Sequence, residues 1–195
     1  MRHKPIKSKL FVQNRKRISD LMASRALAVV NANDVLPTNA DGTLPMQPNA
    51  DLFFLTGIEQ EESILVLFPE AADEKHREIL FVRQPNEHLQ IWEGYKHTKA
   101  DVRKISGIKN VQWLTEFPVL FRSLMCESES AYLNSNEYKR ANVEMETRDV
   151  RFIRQCQSDF PLHQYRRLAP LLHELRVVKT ELEIELLKEA VSITA

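Results

Sequence analysis

Apolar and polar positions along this chain follow two rhythms. Over 10–25, Phe11, Ile18, Leu21 and Met22 recur at helical spacing with basic residues between them, which predicts a surface helix. "ALAVV" (26–30) reads as a short buried strand, and "NANDVLPTNADGTLPMQPNAD" (31–51) supplies Asn, Asp, Pro and Gly for a long loop. Three runs rich in β-formers follow: "LFFLT" (52–56) stopped by Gly57, "SILVLF" (63–68) stopped by Pro69, and "EILFV" (78–82). Their spacing suits hairpins or a meander, and "LQIWEG" (89–94) is read as a fourth, shorter strand. Beyond it, Phe117, Leu120, Phe121 and Leu124 predict a helix, "AYL" (131–133) a strand, and Leu168, Leu171, Leu172 and Leu175 another helix. The last segment, "KTELEIELLKEAVSITA" (179–195), begins with a capping box in which Thr180 caps and Glu183 reaches back. On a helical wheel Leu182, Leu186, Leu187, Ala190, Val191 and Ile193 share one arc opposite Glu185, Lys188, Glu189 and Ser192. That arc needs something to pack against.

Mixed elements of this kind predict an α/β fold in which a mixed β-sheet is flanked by helices. With 195 residues the chain can build one substantial domain plus a connecting element, but hardly two full domains. No internal repeat stands out. The 27 basic and 27 acidic residues cancel, so no overall field favours nucleic acid or anionic lipid, and Arg15-Lys16-Arg17 reads as a solvated helix face. No apolar run approaches a bilayer span, and the first residues lack an apolar signal core, so the expected location is the cytoplasm. Cys126 and Cys156 do not have CxxC spacing and are expected to be reduced and structural.

Chemistry inside the chain is sparse. The six histidines are scattered and "HEL" at His173 has no second histidine four positions on, so a zincin-type metal site is unsupported. Gly42, Gly57, Gly94 and Gly107 are too far apart for a phosphate-cradling loop, and there is no GxSxG elbow. Two features stand apart. Trp92 in "QIWEGYKH" either fills the local core as a strand tryptophan or presents an aromatic at a surface. Asp41 either shapes the turn before Gly42 or serves a site in the long loop.

Three stretches, in this order, resemble the N-terminal domain of the aminopeptidase P (Xaa-Pro aminopeptidase) family: "QPNADLFFLTGIEQEESILVLFP" (47–69), "QIWEGYKH" (90–97) and "HELRVVKTELEIELLKEAVSITA" (173–195). Asn49, Asp51, Thr56 and Gly57 match the first motif, and Arg176, Lys179, Thr180, Glu183, Ile184, Leu187 and Ala190 match the hinge motif. Glu181 stands where the hinge usually carries Pro; both suit a first helical turn. "QEE" (60–62) replaces a frequent Glu-Pro.

The resemblance implies an N-terminal domain over 1–175, with 176–195 as hinge and first helix of a C-terminal "pita-bread" metallopeptidase domain. In such enzymes two Asp, one His and two Glu of that later domain bind a pair of divalent metals, commonly manganese, which hydrolyse the bond between an N-terminal residue and proline. This chain would then hold no catalytic residue and no metal ligand, and alone would be inactive. Its implied roles are oligomer contacts, in a homodimer or homotetramer, and closure over a peptide substrate, with Trp92 and more weakly Asp41 reaching a neighbouring subunit's active site. A prolidase or creatinase-like parent, or a non-enzymatic binding module of the same fold, are the alternatives.

Overall fold

The computed structural model describes residues 5–86, 94–140 and 144–194. Helix α1 (Ser8–Leu21) leads into β1 (Ala26–Asn31), and a long loop connects β1 to α2 (Ala50–Thr56). Strands β2 (Ile64–Leu67) and β3 (Glu78–Val82), helix α3 (Lys99–Ser106), strand β4 (Asn110–Trp113) and helix α4 (Phe117–Glu127) follow. Strand β5 (Ser130–Leu133), helix α5 (Arg148–Asp159), strand β6 (Gln164–Arg167), helix α6 (Ala169–Val177) and helix α7 (Glu181–Thr194) complete the described chain.

The strands form one mixed sheet in the order β4-β3-β2-β1-β5-β6. β1 pairs antiparallel with β2, and β2 with β3, so the anticipated hairpin of "SILVLF" with "EILFV" forms but its third strand is "ALAVV" rather than "LFFLT"; β3–β4, β1–β5 and β5–β6 are parallel. Strand side chains alternate between two cores. Ala28, Val30, Leu65 and Leu80 face α1, α2, α3 and α6 through Ile18, Leu55, Val102 and Leu172. Leu27, Val29, Val66 and Phe81 face α4 and α5 through Phe121, Leu124 and Cys156. Both faces are covered, so the central strands read as continuous apolar runs rather than alternating ones.

Two expectations are corrected. "LFFLT" is helix, not strand: Asn49 Oδ1 accepts from the amides of Asp51 and Leu52, both at 3.0 Å, and Gly57 ends the helix in the left-handed region at φ 70°. The aromatic and leucine content matched a strand, but the cap at each end decided the outcome. Nor is the Arg15-Lys16-Arg17 run one solvated face: Arg15 is fully buried, while Lys16 is exposed and pairs with Asp20 across one turn. Arg15 Nη1 donates to Leu55 O at 2.7 Å and Ser106 O at 3.0 Å, and its Nε lies 3.1 Å from Glu78.

That arginine meets two helix ends built alike. "LFFLTGI" (52–58) and "VRKISGI" (102–108) are a local echo. In each, a hydroxyl (Thr56, Ser106) donates back to the carbonyl four residues earlier and accepts from an isoleucine amide, and a left-handed glycine follows. The carbonyl ends of α2 and α3 thus point their partial negative charge at one guanidinium.

Helices α3 and α5 and strands β4 and β6 were not anticipated. β6, "QYRR", is an exposed edge with no apolar run, and α5 is polar overall, with Val150, Phe152, Ile153 and Cys156 its apolar residues among many charged ones. The proposed fourth strand at 89–94 lies mostly outside the described residues. Cys156 is buried as expected, whereas Cys126 is exposed; both thiols are free. Among the described residues no helix is long and apolar enough to cross a membrane.

The final helix has the expected start. Glu183 N donates to Thr180 Oγ1 at 3.3 Å and Thr180 N donates to Glu183 Oε2 at 2.8 Å, which completes the capping box. Its apolar side is largely open: Ile184, Leu187, Val191 and Ile193 are 41–78% exposed.

Candidate functional site

Parallel strands β1 and β5 end side by side, and the loops leaving them diverge to opposite faces of the sheet. A crevice outside the carboxyl ends of such strands is where open α/β sheets bind ligands. Here it is a cleft of about 880 Å³, walled by the loops after β1 and β5, the start of α5, and Ala169 and His173 of α6. A second cavity of about 510 Å³ lies beside it and shares Asn33, Asp34 and Arg148.

Three aspartates organise the cleft. Asp34 accepts from Arg148 N at 2.8 Å and from Arg151 Nη2 at 2.5 Å, so it already fills the anion position at the start of α5. Asp51, in the first turn of α2, accepts from Asn134 Nδ2 at 3.0 Å through one oxygen and from Arg176 Nη1 at 2.7 Å through the other. Asp149 accepts from Asn31 Nδ2 at 3.0 Å. Burial pushes the Asp149 carboxyl up to about 6; the Asn31 hydrogen bond and the Arg148 charge oppose this, and Asp51 and Asp34 add to it. Burial also pulls the Arg148 guanidinium down, against the attraction of Glu62, Asp34 and Asp149. At the rim Glu137 forms an ion pair with Arg167.

Such an arrangement can bind and orient a polar chain. Among the described residues no three His, Cys, Asp or Glu side chains converge as metal ligands would.

Of the two residues singled out from sequence, Trp92 lies outside the described residues. Asp41 is exposed at the tip of a small hairpin that brings Pro37 and Thr43 together, and it does not line the cleft. Sequence reasoning missed Asn31, Asn134, Arg148 and Asp149. A signal existed: each asparagine directly follows an apolar strand ("ALAVVN", "AYLN"), and Thr147 with Asp149 has the form of a helix cap with an acid in the first turn.

Comparison with known proteins bears on what this scaffold is. The family described as aminopeptidase P, N-terminal domain, matches residues 11–133. The chain belongs to this family. Its fold agrees: the structure of a putative aminopeptidase P from Bacillus anthracis superposes with a TM-score of 0.85 at 27% identity, over 97% of this chain and 45% of that one. A zinc-substituted Escherichia coli aminopeptidase P in complex with product gives a TM-score of 0.75 at 25% identity, over 98% and 43%. The Xaa-Pro aminopeptidase of Escherichia coli strain K12 is 23% identical over 95% of this chain and 42% of its own length. This aminopeptidase P N-terminal domain therefore spans less than half the length of the relatives it matches. Two of the three segments that carried the resemblance also meet in space, because Asp51 of the first holds Arg176 of the hinge.

Proposed function

We propose that this chain is the non-catalytic N-terminal domain of a metal-dependent Xaa-Pro aminopeptidase, which hydrolyses the bond between an N-terminal residue and proline. The observation that carries this reading is the Asp51–Arg176 ion pair, which joins the domain to its hinge, followed by a well-capped helix whose apolar side is uncovered. In this reading Ile184, Leu187 and Val191 dock on a C-terminal catalytic domain encoded beyond Ala195, and 176–195 is the connection rather than part of the domain.

The metal pair, manganese in this proposal, would be held by that later domain, where it supplies an activated water and stabilises developing negative charge. The residues present here would wall the peptide's path, limit access to short chains and exclude water, with Trp92 and Asp41 as the proposed contributors to a neighbouring subunit. A homo-oligomer, dimer or tetramer, follows from that arrangement. The cytoplasm is the proposed compartment, supported by two free thiols that a reducing environment would preserve.

The test is to express this chain with and without the coding sequence that follows it, and to offer a proline-containing peptide with manganese. The longer protein is expected to release the first residue in a chelator-sensitive reaction and the 195-residue chain to release none. Turnover by the short chain, or a longer protein that folds and binds manganese but leaves the peptide intact, would refute the reading.

A further inference from the structure

We propose that the outer edge of β6 is a docking site for an extended acidic peptide segment of a partner protein, which adds to the sheet as a further strand. This site lies outside the metallopeptidase reading above and stands without it.

Only half of the β6 backbone is used. The strand runs parallel to β5 and ends the sheet on that side. Leu168, one residue past it, donates its N–H to Leu133 O at 3.0 Å. Backbone groups of alternate residues point the same way along a strand, so Gln164 and Arg166 face β5 with Leu168, while the N–H and C=O of Tyr165 and Arg167 face outward. Among the described residues no strand, helix or side chain takes these outward groups. Such a row is a template for another chain. It is also held in place: Tyr165 OH donates to Cys156 O at 2.6 Å and Phe160 O at 2.8 Å, which fixes β6 to α5, and Arg167 pairs with Glu137. An edge ordered beforehand loses little freedom when a partner arrives.

Charge selects which strand can pair. Arg166 and Arg167 of β6 are exposed, as are Lys139 and Arg140 of the loop that Glu137 ties to β6, and Glu137 is the one carboxylate on these two stretches. Glu137 is taken by Arg167, and Arg140 donates to the Tyr138 hydroxyl at 3.0 Å. Among the described residues no carboxylate pairs with Arg166 or Lys139. These cations disfavour a second copy as the occupant. Two β6 edges set antiparallel satisfy every outward group only when Tyr165 of each lies opposite Arg167 of the other, and that register sets the two Arg166 side chains directly opposite one another, a destabilising like-charge pair. A partner strand with a glutamate at that position gains an ion pair instead. Charges on an edge strand keep like edges apart. The same charges admit an acidic one.

The experiment follows the backbone amide signals of Tyr165 and Arg167 by NMR in the 195-residue protein. The probes are the blocked pentapeptide Val-Glu-Val-Glu-Val, its glutamine and lysine counterparts, and the glutamate peptide with every valine N-methylated, which keeps the charge and loses the donors that pair with an edge. The glutamate peptide is expected to shift both amides saturably and to slow their exchange with solvent. The glutamine form is expected to bind about tenfold more weakly, and the lysine and N-methylated forms to leave both signals in place. Arg166→Glu, at an exposed position, should reverse the preference so that the lysine peptide binds. Unmoved amides with the glutamate peptide, an equal response to its glutamine or N-methylated form, or an unchanged preference in Arg166→Glu would overturn the proposal. So would shifts of the same amides that grow with protein concentration alone, since they would mark pairing between copies. The four peptides on the unsubstituted protein decide the matter even if the variant fails to fold.

Discussion

Arg176 Nη1 sits 2.7 Å from Asp51 Oδ1, and the same guanidinium lies over the ring of Phe54, 5.3 Å from its centre. One carboxylate in the cleft wall and one aromatic on the next turn of α2 therefore hold the last turn of α6, where the hinge begins. The pair is part-exposed, so water screens it and its contribution is modest. A double-mutant cycle with Asp51→Asn and Arg176→Gln, read by urea unfolding, is expected to give a coupling of about 0.5–1 kcal/mol. Purely additive effects would remove the pair from the account of how the hinge is held.

Substituting either left-handed glycine should hurt for two reasons at once. A Cβ at Gly57 would stand 2.4 Å from the Phe11 ring, and one at Gly107 would stand 2.7 Å from Val12 Cγ2, both at positive φ. Gly57→Ala and Gly107→Ala are each expected to cost about 2 kcal/mol or more. Urea midpoints check this, and a neutral result at either position would mean α1 gives way there.

Asp149 gives stability a pH dependence of unusual sign. Its folded pKa, about 6, is raised above the ordinary aspartate value of 3.8, so between these limits the folded state binds more protons than the unfolded one. Stability from this group is therefore fully present below the lower limit and is lost as pH rises through 6, by up to about 3 kcal/mol. Asp149→Asn should flatten that fall. Parallel unfolding curves at pH 4, 5, 6 and 7 for both proteins would reveal it, and identical profiles would contradict the raised value.

Arg15→Met is expected to destabilise the domain by about 3 kcal/mol or more, because it leaves the carbonyls of Leu55 and Ser106 and the Glu78 carboxylate short of their shared donor. Arg15→Lys keeps the charge but not the fork, and should recover only part of the loss. Thermal unfolding of the three proteins ranks them.

The strands that became the sheet centre were legible because each is a short apolar run between breakers, as in "ALAVV" and "SILVLF". What misled was burial seen only through composition. "LFFLT" has strand residues but helix caps, and Arg15 reads as solvent-facing until two helix ends arrive to receive it. The cleft was invisible for a related reason. Asp51, Asn134 and Asp149 are far apart in the chain, and only the parallel pairing of β1 with β5, which no local pattern states, brings them to one cleft.

The arginine shared by the ends of α2 and α3 also bears on how the domain assembles. Until both carbonyl ends are in place, Arg15 is a charge that α1 cannot bury without loss. Helix α1 is thus among the last to settle, and the three helices should open together: their slowest amides are expected to share one exchange free energy, whereas separate values would show α1 coming loose by itself.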